Sequence, residues 1–213
     1  MSAALPLACR ACAAENEGES APVQCSACGA LLPVHPRVSP FALLGFDRPR
    51  FAVDEKALER GWLDRSRRVH PDRFATRGDA ERRAAAEQVA ALNDAKRQIF
   101  DPWDRAWWLV QRAGVPAAAL DARWLTEVME LRERAEEDAG ARPAIVADAR
   151  ARFAATLAQL QATLAPIDEL PHGYAAPSPA LHKAAMLLAE LKTLARLVDD
   201  LGGGRLIGSL DAR

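Results

Sequence analysis

Residues 54–100 read DEKALERGWLDRSRRVHPDRFATRGDAERRAAAEQVAALNDAKRQIF, two helix-length segments on either side of one polar loop. The first segment opens at Val53-Asp54, where Asp54 is suited to cap a helix and Glu55 to sit at the positive end of its dipole. Leu58, Trp62 and Val69 fall close to one face and are predicted to pack on the second segment. Pro71 has no amide hydrogen and restricts His70 away from the helical region, so the first helix has to end there. His70, Pro71 and Asp72 are thereby set at an exposed corner. The second segment runs from about Asp79 to Phe100, with Ala84, Val89, Leu92 and Ile99 as buried candidates, until Asp101-Pro102 ends it. Arg60, Arg67 and Arg68 project away from the apolar face of the first helix, and Arg73 follows the tripeptide. A basic face is usually only a solvated one. Beside this corner it is also placed for steering and charge-assisted contacts with an acidic partner. His70 and Asp72 make a poor catalytic pair, because no nucleophile or metal-ligand set accompanies them.

Composition narrows the class. The 213 residues hold one large domain or two small ones, and their abundance of alanine and leucine with few β-branched runs indicates an all-α protein. A formal net charge of −1 argues against a general nucleic-acid binder. No apolar run approaches the roughly 20 residues of a membrane span. Met1 to Leu7 lack the charged start and long apolar stretch of a secretory leader. The chain reads as soluble, cytoplasmic and monomeric, with cysteines that stay reduced or bind metal.

All four cysteines lie within the first 28 residues, as the pairs Cys9-x-x-Cys12 and Cys25-x-x-Cys28 with twelve residues between them. Each pair suits a tight turn pointing two thiolates at one ion, and two such turns complete a tetrahedron around Zn²⁺. Gly29 eases the second turn. Iron in a rubredoxin-like site is the lesser alternative. A redox pair fits poorly, since there are two matched pairs and no thioredoxin-like βαβ pattern. Arg10 is present without a basic, aromatic patch, which argues against nucleic-acid binding by this knuckle. Pro33, Pro36 and Pro40 then stiffen a linker in which His35 reads as a solvated loop residue, and Phe41–Phe46 form a short apolar turn containing Gly45. The predicted domains are a tetracysteine knuckle over 1–34, a helical hairpin module over 38–112 and a C-terminal bundle over 116–205.

Three seams define that bundle. Trp124, Val128, Leu131 and Ala135 repeat at helical spacing, as do Phe153, Leu157, Leu160 and Leu164, and Leu187, Leu191, Leu194, Val198 and Leu201. They predict an antiparallel three-helix bundle, with Gly140 and Pro143 breaking the first pair and a long loop from Pro166 to Pro179 before the third helix. Leu125 and Met129 lie one position past the first seam, about 100° around the helix. Glu130, Glu133 and Glu137 form a neighbouring stripe, and Met186 stands one position before Leu187. Spacing alone leaves two readings: these apolar residues widen the core face, or they form a docking surface bordered by carboxylates.

Two helices joined by a polar loop that starts with His70-Pro71-Asp72 resemble a J-domain, the module that stimulates ATP hydrolysis by DnaK-class chaperones. The wider order is narrower in meaning: Phe-x-Leu-x-Gly, His-Pro-Asp-Arg-Phe, Leu-Asn-Asp-Ala, then Asp-Pro-x-x-Arg-Ala-x-x-Leu. Through Leu43, Gly45, His70, Pro71, Asp72, Phe74, Leu92, Asn93, Pro102, Arg105, Ala106 and Leu109 it resembles HscB, the J-type co-chaperone of iron–sulfur cluster assembly, in the form that bears a zinc knuckle. The resemblance implies a DnaK/HscA-type chaperone as partner of His70, Pro71, Asp72 and the basic face. It also implies an IscU-type scaffold as partner of Leu125, Met129, Glu130, Glu133 and Glu137, with Met186 at a family phenylalanine position and Thr126 where the family pattern has methionine. Arg65 stands where most J-domains carry leucine and Lys96 where they carry tyrosine, and both are expected to lay their stems over the core with their charges in water. The chain therefore reads as a non-enzymatic adaptor. A J-domain protein for a different client, or a knuckle that binds nucleic acid or passes a metal onward, are the alternatives.

Overall fold

The computed structural model describes residues 7–16, 21–35, 37–171 and 173–207; Pro36 of the linker and the first six residues lie outside them. Asp54 caps α2 (Glu55–Val69), its carboxylate accepting from the Lys56 amide at 3.0 Å. At the other end His70 is extended (φ −57°, ψ 131°) and Pro71 starts a short 3-10 turn, Pro71–Phe74, as the missing amide requires. The chain then returns through α3 (Asp79–Ile99). The seam between them is closed by Leu58, Val69, Leu92 and Ile99, each fully buried. Ahead of the hairpin, α1 (Pro40–Leu43) is capped by Ser39 and contributes buried Phe41 and Leu43. Arg105, itself buried, donates to the carbonyl of Ile99 at 2.8 Å and so caps the end of α3.

The buried face of α3 is Ala85, Gln88, Leu92, Ala95 and Ile99; Ala84 and Val89, expected there, are only half-buried. The face is turned because α3 also receives the N-terminal segment, whose Leu32 carbonyl takes a bond from Gln88. That segment supplies the only strands among the described residues, β1 (Leu7–Ala8) antiparallel to β2 (Glu15–Asn16).

The chain divides into two compact units, one up to Arg105 and one from Ala106, so that α4 (Pro102–Arg112) begins in the first and ends in the second. In the second unit α4 is closed by Gly114 (φ 79°) with a bond from the Val115 amide to the Val110 carbonyl. α5 (Ala122–Glu137), α6 (Arg142–Asp168) and α7 (Pro179–Asp200) follow. Val128, Ala149, Leu194, Leu197 and Val198 form their common core, with Trp124, Leu131 and Phe153 packed against it. α7 is buried over two adjoining stripes, as the most enclosed helix of a bundle must be. The long loop expected from Pro166 starts later, at Glu169, because α6 runs on through Pro166. Proline costs that helix one bond to the Ala162 carbonyl, and both residues face solvent, where water can take the bond instead.

Gly61 sets the packing of α2 on the residue after α1: a Cβ built there would stand 2.2 Å from the Leu44 carbonyl oxygen. Helix propensity favours Gly61→Ala by about 1 kcal/mol, and overpacking against backbone costs about 1–3 kcal/mol or more. Gly61→Ala is therefore expected to lower the thermal midpoint followed by helical ellipticity; an unchanged or raised midpoint would show that α2 does not sit this close.

Candidate functional site

Three groups of residues carry chemistry. At the turn after α2, the amide of Asp72 donates to His70 Nδ1 at 3.3 Å, so the neutral ring holds its proton on Nε2. The Asp72 carboxylate lies 3.5 Å from the same ring, and its side chain is 90% exposed. This is a presented corner. Arg73 donates to the Arg67 carbonyl at 3.3 Å and helps close α2. Arg60 and Arg67 lie 3.5 and 3.9 Å from Asp54 and Asp64, long and exposed pairs that leave both guanidinium groups open to a partner. Arg68 is exposed on the same helix.

The two CxxC turns are copies of one another. The amide of Cys9 bonds to the Ala14 carbonyl and that of Ala13 returns to Cys9; Cys25, Ala30 and Gly29 repeat the pattern. Ala13 (φ 58°) and Gly29 (φ 72°) occupy the same left-handed position in each. All four sulfurs lie within 4.8 Å of one another, with Cys9–Cys28 at 3.6 Å and Cys12–Cys25 at 3.7 Å. A tetrahedron of Zn–S bonds of about 2.3 Å has edges of about 3.8 Å, so the donor set fits a thiophilic ion. Asn16, buried and absent from the sequence reading, ties the turns together. Its Nδ2 donates to the Ala14 carbonyl (3.0 Å) and to Cys25 Sγ (3.5 Å), while its Oδ1 accepts from the Ser26 amide (2.9 Å). Asn16, followed by nearby backbone, lowers the Cys25 thiol to about 6. Cys12 is pushed up to about 12: backbone at Ala14 pulls it down, but the sulfur of Cys28, then burial and the other two thiols, outweigh that. Four thiolates this close need a cation to be charged together.

On α5, Leu125 is 44% and Met129 61% exposed, so they stand outside the seam of Val128 and Ala135 and do not widen it. Thr126 turns its hydroxyl back to the Ala122 carbonyl. Glu127 is committed to α6 through Arg152 at 2.5 Å, whereas Glu130, Glu133 and Glu137 are exposed and make no ion pair among the described residues. Met186 is exposed on α7 between buried Ala185 and Leu187. Arg132, on α5, pairs with Asp200, on α7, at 2.6 Å.

A helical hairpin turned at His-Pro-Asp, with a helical bundle in a second unit, defines the class: a J-type co-chaperone. The chain is 35% identical over 173 residues to a co-chaperone HscB homologue of Bordetella petrii, covering 79% of this chain and 96% of that one. The Bordetella pertussis homologue is 42% identical over 135 residues, 61% of this chain and 78% of the relative. The crystal structure of human co-chaperone HscB matches with a TM-score of 0.75 at 21% identity, over 91% of this chain and 96% of that one, a likeness of fold alone. Chaperone HscB from Vibrio cholerae matches at 0.62 and 30% identity, over 78% and 96%. No protein-family model matches the chain. The chain belongs to the HscB family of co-chaperones.

The position of Asn16 generates an expectation. Because it orients one ligand and braces both turns, Asn16→Ala is expected to weaken Zn²⁺ or Co²⁺ binding by roughly 10–100-fold, read by competition with a chromophoric chelator. Unchanged affinity would reduce Asn16 to a loop residue.

Proposed function

We propose that this chain is an adaptor without a catalytic step of its own, which brings an iron–sulfur scaffold of the IscU type to a DnaK/HscA-type chaperone and stimulates that chaperone's ATPase. The carrying observation is the pair of exposed apolar side chains on α5, Leu125 and Met129, beside carboxylates that pair with no cation among the described residues. An exposed apolar pair rimmed by charge is what a partner surface looks like before it is covered. Glu130, Glu133 and Glu137 would set register and orientation, with Met186 as a further contact on α7. In the other unit His70, Pro71 and Asp72 would engage the chaperone, and Arg60, Arg67, Arg68 and Arg73 would steer an acidic surface towards them. Membership of the HscB family supports both assignments.

One chain that holds both partners converts their meeting into an intramolecular event, at effective concentrations up to the millimolar range. The four cysteines would hold a structural Zn²⁺, which cross-links the two knuckle turns; a closed set of four thiolates offers no open position for chemistry. Among the described residues no helix is long and apolar enough to cross a membrane.

Two measurements test this reading. Asp72→Asn is expected to reduce stimulation of the cognate chaperone's ATPase by at least about 10-fold; stimulation at the wild-type level would remove the corner from the mechanism. Met129→Asp changes an exposed side chain, so the far-ultraviolet spectrum and thermal midpoint should hold while scaffold affinity falls by about 30-fold or more. Wild-type affinity in that variant would move the scaffold site elsewhere.

A further inference from the structure

Two polar side chains on the hairpin have an unusual use. Arg65, on α2, sends its guanidinium to the carbonyl of Ala21 at 2.5 Å. Gln88, on α3 and only 2% exposed, donates to the carbonyl of Leu32 at 2.6 Å. Ala21 and Leu32 flank the second cysteine pair, four residues on either side of Cys25 and Cys28. The knuckle is therefore held from both helices of the hairpin at once, by the two ends of its own metal-ligating loop.

Neither bond is explained by the hairpin itself. A buried glutamine is a costly filling for a helix–helix seam, and the Leu32 carbonyl meets its amide nitrogen. The Arg65 guanidinium is partly desolvated, which with Arg68 nearby lowers its pKa, contrary to the expectation that its charge stays in water. Its guanidinium also lies against Gly45, 3.5 Å from where a Cβ would stand. The knuckle reaches the functional corner too. Gln24, Cys28 and Gly29 form one wall of a cleft whose other wall is Arg73, Phe74 and Arg77, next to Pro71 and Asp72.

We propose that Arg65 and Gln88 clasp the four-cysteine knuckle to α2 and α3, so that metal loading of the knuckle stiffens the hairpin and its His70-Pro71-Asp72 corner. This rests on the reading that the knuckle holds a thiophilic divalent ion. An ion that binds only the folded knuckle stabilises it by mass action, and the stabilisation extends to whatever the knuckle is bonded to. Through the clasp that is the hairpin. Without it the knuckle and the hairpin respond to metal separately. Arg65 and Gln88 are positioning residues in this scheme and touch neither the ion nor a partner.

The test uses the full chain, loaded with Co²⁺ or Zn²⁺ or stripped by chelator under reducing conditions, with amide hydrogen exchange read along α2 and α3. Wild-type chain is expected to exchange roughly 10–100-fold more slowly in both helices when loaded, the worth of two such bonds. In the double variant Arg65→Leu, Gln88→Leu the thiolate-to-Co²⁺ absorption band should persist while the difference in exchange disappears. Arg65→Lys should retain part of it. Equal exchange in loaded and stripped wild type overturns the clasp, and so does a metal effect of full size in the double variant. If the double variant fails to fold, Arg65→Leu alone serves, with about half of the effect expected and its full persistence counting against the proposal. Absence of the Co²⁺ band in wild type would reject the metal reading itself, a failure distinct from that of the clasp.

Discussion

A proline cannot donate the amide bond that the next turn of a helix needs, and its ring keeps the preceding residue extended. In this chain that restriction falls after fifteen residues of α2. His70 takes up the extended conformation, Asp72 turns its amide onto the His70 ring, and the chain is sent back along α2 as α3. The hairpin core, the exposed pair of polar side chains and the cleft beside the knuckle all follow from where this helix stops. An exposed corner is otherwise hard to keep rigid. Here proline removes conformations that the unfolded chain would have sampled, and Arg73 closes the carbonyl end of α2.

The first unit is assembled to a large extent by side chains that capture backbone carbonyls. Arg105 takes that of Ile99, Gln88 that of Leu32, Arg65 that of Ala21, and Asn16 that of Ala14. The first three join segments far apart in sequence or end a helix, and Asn16 links its own turn to the second through Cys25 and Ser26, at places where an apolar contact would leave a polar group unmet. Trp62 shows a milder version on the hairpin surface, its indole nitrogen donating to Asn93 while the Lys96 ammonium lies 3.7 Å over its ring. Lys96 thus keeps its stem on the apolar surface and its charge over an aromatic face.

The second unit follows another logic. Its helices meet through aliphatic seams; the ion pairs Arg132 to Asp200 and Arg152 to Glu127 lie at the rim, and Tyr174 donates to Asp168 in a buried bond at 2.7 Å. Against that background Leu125 and Met129 are conspicuous, since they stay exposed on a helix whose seam is buried. Basic residues gather at the corner of one unit and carboxylates on a helix of the other, so a formal net charge of −1 conceals two surfaces of opposite sign.

The sequence by itself determined the all-helical class, the break at His70-Pro71, the Asp54 cap and the cysteine spacing, because each is local: it depends on residues within a turn or two of helix or loop. The seams of the bundle were equally legible from their period, with the exception of the end of α6, where solvent exposure let the helix run through Pro166. Whether Leu125 and Met129 belong to the core was undetermined, since a broad apolar stripe and a seam with an exposed neighbour have the same spacing. Tertiary packing decided it by burying Val128 and Ala135 and leaving the two beside them largely exposed. Asn16, Gln88 and Arg65 could not be read at all, because polar residues are ordinarily solvated and their meaning here lies in partners far along the chain: Cys25 and Ser26 for Asn16, and carbonyls 56 and 44 residues away for Gln88 and Arg65. Only the folded chain brings those partners within reach of a hydrogen bond.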